Sequence, residues 1–155
     1  MENEMKSANV INEESQLRGV IENWAEALRA KDIDRYVSHY AEDIVLFDLA
    51  PPLEYGGLDA LRQGLEEWFG TFEDLIGIDI SNLRIFVGTD TAFSHSLNHL
   101  TGKRTTGEQT DVWFRSTVGF RKIQGKWLVV HEHSSVPLYM DGSNKAAVDL
   151  KPANR

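Results

Sequence analysis

The stretch from Trp24 to Pro52, WAEALRAKDIDRYVSHYAEDIVLFDLAPP, contains the signals from which the fold is predicted. Its first residues complete a helix, because apolar side chains recur at helical spacing at Leu17, Val20, Ile21, Trp24 and Leu28. Asp32 can cap a second, short helix that runs to about Tyr40. The apolar and β-branched run Asp43–Asp48 then predicts a strand, which Pro51 and Pro52 stop.

On either side of this stretch the pattern changes. Residues 1–9 carry no periodicity and are expected to form a frayed arm, so the first helix should begin at about Asn12. A third helix should follow Gly56 and Gly57, with its apolar stripe at Leu58, Leu61, Leu65, Trp68, Phe69 and Phe72. Alternating segments separated by glycine-containing turns then predict four strands, at about 75–87, 91–101, 109–123 and 126–137.

This order predicts an α+β fold in which three N-terminal helices pack on a strongly curved antiparallel sheet. We expect one domain, residues 10–138, with terminal extensions at 1–9 and 139–155. A curved sheet closed by helices leaves a concavity that can serve as a small-molecule pocket. The same order is also compatible with a filled core that has no cavity.

Composition narrows the function. The 155 residues include 24 acidic and 16 basic side chains and no cysteine, for a formal charge of -8. That charge repels nucleic acid and anionic lipid, and the lack of cysteine excludes disulfides and thiolate metal sites. Because the N-terminus has no apolar signal region and no run is long enough to span a membrane, we expect a cytoplasmic protein with no nucleic-acid or membrane partner.

Two blocks resemble the nuclear transport factor 2-like superfamily and, within it, the SnoaL-like and ketosteroid-isomerase-like proteins. The first is residues 24–52, with the ALRAKDID turn between helices and the YAED lead into a strand; the second is residues 119–137, GFRKIQGKWLVVHEHSSVP. The resemblance spans about residues 10 to 138 and implies a cystatin-like cone with a pocket. It is specific for the fold and not for the reaction, because this fold hosts isomerases, cyclases, dehydratases and association domains.

The resemblance also implies two candidate catalytic carboxylates. Asp48 occupies the position of the general base in ketosteroid isomerases, and Glu132 that of the acid/base in SnoaL-like polyketide cyclases. Trp24 and Val118 replace the oxyanion-hole groups of the isomerases, so steroid isomerisation is not expected. Strand parity puts Glu132 on the helix-facing side if the last hairpin is regular, whereas a bulge would reverse this.

Histidines add two further candidates. His95 and His99 lie on the strand that lines the cavity in this superfamily and could transfer protons there. Alternatively, backbone groups or carboxylates at the rim satisfy them. His131 and His133 share a strand face, as histidines of some metal sites do, but no third ligand is evident. We therefore expect neither a metal nor an organic cofactor.

The two faces of the sheet are predicted to have different roles. The pocket wall is expected to contain apolar and aromatic side chains: Trp24, Tyr36, Tyr40, Trp68, Phe114 and Val118. The opposite face would expose an aromatic patch, which usually marks an interface. Because sheets in this superfamily pack face to face, we expect a homodimer through Trp113, Arg115, Trp127, His131 and His133.

The leading hypothesis is a homodimer whose pockets each bind a small organic ligand with a carbonyl group or an enolisable carbon. It would act as a cofactor-independent isomerase, cyclase or dehydratase, with Asp48 as base and Glu132, His95 or His99 returning the proton. One alternative is a ligand-binding module without chemistry. The other is an association domain that works through its sheet face alone.

Overall fold

The computed structural model describes residues 1–153, which form three helices and six strands. The helices are α1 (Glu2–Arg29), α2 (Ile33–Val37) and α3 (Leu58–Phe69). The strands are β1 (Tyr40–Phe47), β2 (Tyr55–Gly56), β3 (Gly77–Val87), β4 (Thr91–Lys103), β5 (Gln109–Ile123) and β6 (Lys126–Ser135). Residues 154 and 155 of the predicted C-terminal extension lie outside the described residues.

The six strands form one sheet in the order β2-β1-β6-β5-β4-β3. Neighbouring strands are antiparallel except β1 and β6, which are parallel. A parallel neighbour requires a long connection, and here α3 and four strands lie between the two partners in the chain. The prediction of helices packed on a curved, mostly antiparallel sheet is confirmed. The two-residue strand β2 was not predicted.

Helix α1 is longer than the sequence pattern indicated. It begins at Glu2, so the prediction of a frayed arm over residues 1–9 is wrong. No proline interrupts this segment, and Glu2 and Glu4 stand in the first turn, where the helix dipole favours negative charge. The buried apolar side chains of α1 begin at Leu17 and include Ile21, Ala25 and Leu28.

The short helices follow their predicted signals. The Asp32 carboxylate accepts a hydrogen bond from the Arg35 backbone N–H at 3.1 Å and so caps α2, which ends at Val37. Helix α3 begins directly after Gly57, whose φ of +88° favours glycine. Its buried face consists of Leu61, Leu65 and Phe69. Within the described residues, no helix is both long and apolar enough to cross a membrane.

Strand β6 contains a bulge that determines the inner face of the sheet. Phe120 of β5 pairs with Val129, but the preceding residue, Gly119, pairs with His131, so Val130 is an extra residue in β6. An extra residue changes the parity of a strand, so that side chains on either side of it can face the same way. As a result, Trp127 and Glu132 both face the helices and are buried.

Because of this bulge, the prediction for Trp127 is wrong. Trp127 was expected on the outer face, but it is 2% exposed and its indole N–H donates to Glu13 of α1 at 2.5 Å. Glu13 also accepts a hydrogen bond from Lys122 at 2.6 Å, and these two contacts lower the pKa of Glu13. The pair of contacts attaches α1 to the β5–β6 hairpin. The expectation that a bulge turns Glu132 outward is also wrong: the register on the Glu132 side of the bulge is the one a regular hairpin predicts, and the bulge changes the side of Trp127 instead.

Deleting Val130 should destabilise the fold far more than shortening its side chain. Without the extra residue, one end of β6 must turn to the outer face of the sheet. Either Trp127 and Val129 become exposed, or Glu132 does. Exposing two large apolar side chains costs about 3–6 kcal/mol of unfolding free energy at about 1.5–3 kcal/mol each. Urea unfolding measures this, with Val130→Ala as the control, and equal stabilities of the two variants would contradict the role of the bulge.

Candidate functional site

A small cavity of about 30 Å³ lies between α1 and the inner face of the sheet. Its apolar walls come from α1 and from the edge strand β3, and include Val20, Ile21, Ile80 and Leu83. Its volume is enough for about one or two water molecules. The sequence left open whether the core is filled or hollow, and the structure has a cavity, though a narrow one.

A chain of hydrogen bonds holds a carboxyl group in this cavity. The Tyr40 hydroxyl donates to Glu132 Oε2 at 2.7 Å, and the Trp24 indole N–H donates to the Tyr40 oxygen at 2.9 Å. Tyr36 stacks on Tyr40 with ring centroids 5.4 Å apart. These contacts fix the position of the Glu132 side chain, which is 9% exposed, while its second oxygen accepts no hydrogen bond within residues 1–153.

The environment keeps Glu132 partly protonated near neutral pH. Burial raises its pKa to about 7, the Tyr40 hydrogen bond opposes that rise, and the negative charge of Asp48 adds to it. Burial and the Glu132 charge also raise the pKa of Tyr40 and Tyr36 well above the usual phenol value. Tyr40 therefore remains a hydroxyl donor at neutral pH, and Glu132 exists in both its acid and its base form.

Small polar side chains on β4 and β5 form the floor of the cavity. Ser94, Ser96, Asn98 and Ser116 all line it. Ser96 donates to Asn98 Oδ1 at 2.8 Å, whereas in the described part of the chain the hydroxyls of Ser94 and Ser116 make no side-chain hydrogen bond. Buried polar groups are normally paired. This floor therefore presents free donors and acceptors to whatever occupies the cavity.

His39, which lies between α2 and β1, is another polar group of the cavity wall. Its Nε2 lies 2.7 Å from Asn23 Oδ1 on α1. Burial, followed by the charges of Lys126 and Arg35, lowers the pKa of His39, so the ring is neutral at pH 7. Among residues 1–153, its Nδ1 is a buried side-chain atom without a hydrogen-bond partner.

Asp48 does not share the cavity with Glu132. It is exposed just after β1, where it accepts hydrogen bonds from the Leu49 backbone N–H at 2.7 Å and from the Tyr55 hydroxyl at 3.2 Å. The expectation that both carboxylates open onto one pocket is therefore wrong. The β1 strand ends at Phe47, and the turn that follows directs Asp48 to solvent.

His95 and His99 also lie outside the cavity, contrary to prediction. In β4 the even-numbered residues face the helices, so both histidines point to the outer face of the sheet. His99 lies 2.6 Å from Asp111 and stacks on Trp113 with ring centroids 4.5 Å apart. The missed signal was parity: Phe114 and Val118 of β5 were predicted to face the pocket, and even-numbered β5 residues pair with even-numbered β4 residues, which puts the odd-numbered His95 and His99 on the outer face.

Three of the six residues predicted for the pocket wall lie at the cavity and three do not. Trp24, Tyr40 and Val118 line the cavity. Three residues lie elsewhere: Tyr36 stands behind Tyr40, Trp68 packs on Phe69 and Phe72, and Phe114 packs against another part of the core. The sequence reasoning missed His39 and the polar floor. No group of three or more His, Cys, Asp or Glu side chains able to hold a metal occurs in residues 1–153.

Comparisons with known proteins place the chain in a fold family. The model of the SnoaL-like domain matches residues 17–139. An NTF2-like protein of unknown function from Pseudomonas putida KT2440 is 34% identical, with a TM-score of 0.83 and coverage of 92% of this chain and 98% of that chain. No curated protein matches the sequence.

Two more distant structures share the fold alone. A proposed scytalone dehydratase from Novosphingobium aromaticivorans DSM 12444 is 20% identical, with a TM-score of 0.76 and coverage of 96% and 99% of the two chains. The association domain of C. elegans CaMKII is 17% identical, with a TM-score of 0.65 and coverage of 81% of this chain and 96% of that chain.

Replacing Glu132 by Gln should change how stability depends on pH. Because the pKa of Glu132 is raised from 4.5 to about 7 in the folded protein, the folded state binds more protons than the unfolded state between these values. The contribution of Glu132 to the unfolding free energy is complete at low pH and is lost as pH rises through about 7. Between about pH 5 and about pH 8, the wild type should lose about 2.5 kcal/mol of unfolding free energy relative to Glu132→Gln.

Denaturant unfolding at both pH values measures this difference. The amide oxygen introduced by Glu132→Gln can still accept the Tyr40 hydrogen bond, so the comparison isolates the charge. The lowered pKa of His39 acts in the opposite direction, and it is present in both proteins. Parallel stability curves for the two proteins would show that Glu132 does not titrate in this range.

Proposed function

This chain belongs to the SnoaL-like domain family, and from that membership and the geometry of its cavity we propose that it binds a small organic ligand and transfers a proton to or from it through Glu132. The observation that carries the proposal is the buried carboxyl group, held by Tyr40, with a pKa of about 7. An acid with a pKa near the working pH is suited to both halves of a proton transfer.

The surroundings of Glu132 support this role over a structural one. A buried carboxyl group lowers stability unless it is paired, and the Tyr40 hydroxyl pairs only one of its oxygens within the described residues. The other polar groups on the cavity floor, Ser94 and Ser116, are also free to contact a ligand. Together they form a polar end to an apolar cavity, which is the usual composition of a small-molecule site.

The reaction class is a carbonyl–enol conversion or a related isomerisation, cyclisation or dehydration. The carboxylate form of Glu132 accepts a proton from the carbon next to the ligand carbonyl, and the neutral acid so formed then donates that proton to the oxygen of the resulting enolate, which regenerates the carboxylate. This assignment differs from the expectation that Asp48 is the base, since Asp48 is exposed beside Tyr55. Positioned proton transfer of this kind contributes about 10²–10⁴-fold in rate.

Deuterium exchange into a simple ketone tests the proposal without knowledge of the natural substrate. Proton NMR of cyclohexanone in D₂O follows loss of the hydrogens next to the carbonyl. The wild-type protein should accelerate this loss over buffer, and Glu132→Gln should reduce the acceleration by about 10²-fold or more. Asp48→Asn is the matched control, since it removes an exposed carboxylate and should retain the wild-type rate.

Two outcomes contradict the proposal. One is exchange no faster with the wild-type protein than in buffer. The other is loss of exchange in Asp48→Asn together with an unchanged rate in Glu132→Gln, which would return the chemistry to the position expected from the resemblance.

We also propose that the protein forms a homodimer through the outer face of the sheet. Phe86 and Phe93 stack there with ring centroids 4.6 Å apart, and they are 43% and 47% exposed. The stacked pair His99 and Trp113 lies on the same face, together with Arg115, His131 and His133. An exposed aromatic patch of this kind favours an interface. The same fold is an association domain in C. elegans CaMKII.

A charge placed in this patch should weaken the dimer. Phe93→Asp would bury a carboxylate in an apolar contact and should raise the dimer dissociation constant about 30-fold or more, as expected for an interface hot spot. Sedimentation equilibrium measures the constant. Leu75→Asp is the control, because Leu75 is 67% exposed in the loop before β3. A monomeric wild-type protein, or equal dissociation constants for both variants, would contradict this interface.

A further inference from the structure

The hydrogen of the Tyr40 hydroxyl has a direction that its hydrogen-bond partners determine. In the described part of the chain, the Tyr40 oxygen makes hydrogen bonds with Trp24 Nε1 at 2.9 Å and with Glu132 Oε2 at 2.7 Å. An indole nitrogen carries a hydrogen and has no acceptor site, so Trp24 can only donate to Tyr40. The Tyr40 hydroxyl must therefore give its own hydrogen to Glu132. Trp24 thus determines the direction of a hydrogen bond in which it takes no part.

This direction places the acidic proton of Glu132 on one particular oxygen. Oε2 accepts the Tyr40 hydrogen, and a neutral carboxyl group accepts best at its carbonyl oxygen, so the proton of the acid form is on Oε1. Within residues 1–153, Oε1 has no hydrogen-bond partner. The unpaired side-chain atom that is fully buried in these residues is Nδ1 of His39, so Oε1 retains accessible surface at the cavity that Glu132 lines.

Without the indole N–H, the Tyr40 hydroxyl could turn around. Its oxygen could then accept a hydrogen bond from the neutral form of Glu132, which would hold the proton between these two side chains and away from the cavity. A hydrogen bond that stabilises the neutral form of an acid raises its pKa, whereas one donated to the carboxylate lowers it. In this protein the hydrogen bond from Tyr40 lowers the pKa of Glu132 against the larger effect of burial, as expected for a donor held in one direction.

Few other charged groups of the described residues face Glu132. Burial accounts for most of the rise in its pKa, and the charge of Asp48 adds a smaller increase. His39 on the cavity wall is neutral at pH 7, and the residues that α1, β3, β4 and β5 place at the cavity do not titrate. Burial raises the pKa of the Tyr36 and Tyr55 phenols, so both stay neutral. A change in the titration of Glu132 on loss of the indole N–H therefore reports the hydrogen bond to its carboxyl group.

From this arrangement we propose that Trp24 is a positioning residue, which keeps the Tyr40 hydroxyl directed at Glu132 Oε2 and so keeps the transferable proton on Oε1, at the cavity. The catalytic meaning of this inference rests on the proposed function, in which Glu132 exchanges a proton with the ligand. Oε1 is then the atom that takes the proton from carbon and gives it to oxygen. The reacting carbon and the carbonyl oxygen of the ligand must therefore both come within reach of this one atom.

Carbon-13 NMR of the Glu132 carboxyl group measures the effect directly. Protein labelled at glutamate is titrated from about pH 5 to about pH 9, and the signal that Glu132→Gln lacks identifies the residue. In Trp24→Phe, which removes the N–H and keeps an aromatic ring, the titration midpoint should rise by about 0.5–1 pH unit, the equivalent of one neutral hydrogen bond. Trp68→Phe is the matched control, because Trp68 packs on Phe69 and Phe72 outside the cavity and the variant should keep the wild-type midpoint.

A purely structural role of Trp24 makes a different prediction. Loss of packing would lower the melting temperatures of Trp24→Phe and Trp68→Phe alike, and it would leave the titration midpoint of Glu132 in place. An unchanged midpoint in folded Trp24→Phe, or an equal rise of the midpoint in Trp68→Phe, would overturn the proposal.

The wild-type protein supplies a second measurement that requires no variant of Trp24. Its indole N–H donates to a hydroxyl that itself donates to Glu132, and hydrogen bonds in a chain polarise one another. The Trp24 indole signal in nitrogen-15 NMR should therefore shift with the same pH midpoint as the Glu132 carboxyl carbon. An indole signal that stays constant while Glu132 titrates would overturn the proposal, even if Trp24→Phe does not fold.

The ketone exchange reaction separates this inference from the proposed function. At about pH 7, Trp24→Phe should exchange about two- to fivefold more slowly than the wild type, because less Glu132 is in the carboxylate form, and at about pH 9 the two rates should converge. Exchange that requires Glu132 but has the same pH profile in both proteins would overturn the role of Trp24 and leave the proposed function intact. A raised midpoint in Trp24→Phe without exchange by the wild type would remove the proposed function and support the position of the proton.

Discussion

In β6, the bulge at Val130 places Trp127 on the same side of the sheet as Glu132, and the organisation of the site depends on this. Trp127 contacts Glu13 and so attaches α1 to the sheet. Glu132 accepts a hydrogen bond from Tyr40, the first residue of β1, and so connects β6 to β1 inside the cavity. A regular strand could bury only one of these side chains. The bulge therefore allows α1 to pack on the sheet through Trp127 while Glu132 lies in the cavity.

The cavity combines a polar floor with apolar walls, and the polar groups reduce stability unless something pairs with them. Glu132, His39 and two serine hydroxyls each keep at least one hydrogen-bonding position free within the described residues. Of these groups, His39 Nδ1 is the fully buried atom without a partner in the described residues, and an atom of that kind costs about 1–3 kcal/mol. A purely structural core would replace these side chains with apolar ones of similar volume. Their presence on one cavity is consistent with selection for recognition at the expense of stability.

Much of the fold was predictable because its boundaries lie at strong local signals. Asp32 caps α2, Gly57 precedes α3, and the positive φ values of Gln124 and Gly125 close the last hairpin. These are short-range effects of single residues. The frayed arm over residues 1–9 was predicted wrongly because these residues show no apolar stripe, yet they continue a helix that is stabilised by packing further along the chain.

The site was less predictable because it depends on which side of a strand each residue faces. Glu132 was identified through the resemblance and Tyr40 as an aromatic wall residue, but their mutual hydrogen bond joins residues 92 positions apart. His95 and His99 were predicted at the cavity because their side chains titrate near neutral pH. The neighbouring Ser96 and Asn98, which do line it, have no such chemical signature. No sequence signal indicated His39, because its contact with Asn23, which Arg35 also contacts, joins residues that no spacing rule relates.

The narrowness of the cavity has a kinetic consequence. At about 30 Å³ it cannot admit a ring-sized molecule unless a wall moves. Arg29 holds α1 to the Ile78 carbonyl at 2.7 and 3.1 Å, and beyond this point β3 is an edge strand with an irregular register between Ser81 and Arg84. That segment carries Leu83 on the cavity wall and has no further strand to support it. A ring-sized ligand of the kind proposed above would enter only as often as a wall of the cavity opens, so its observed association rate would level off at high ligand concentration instead of rising in proportion to it.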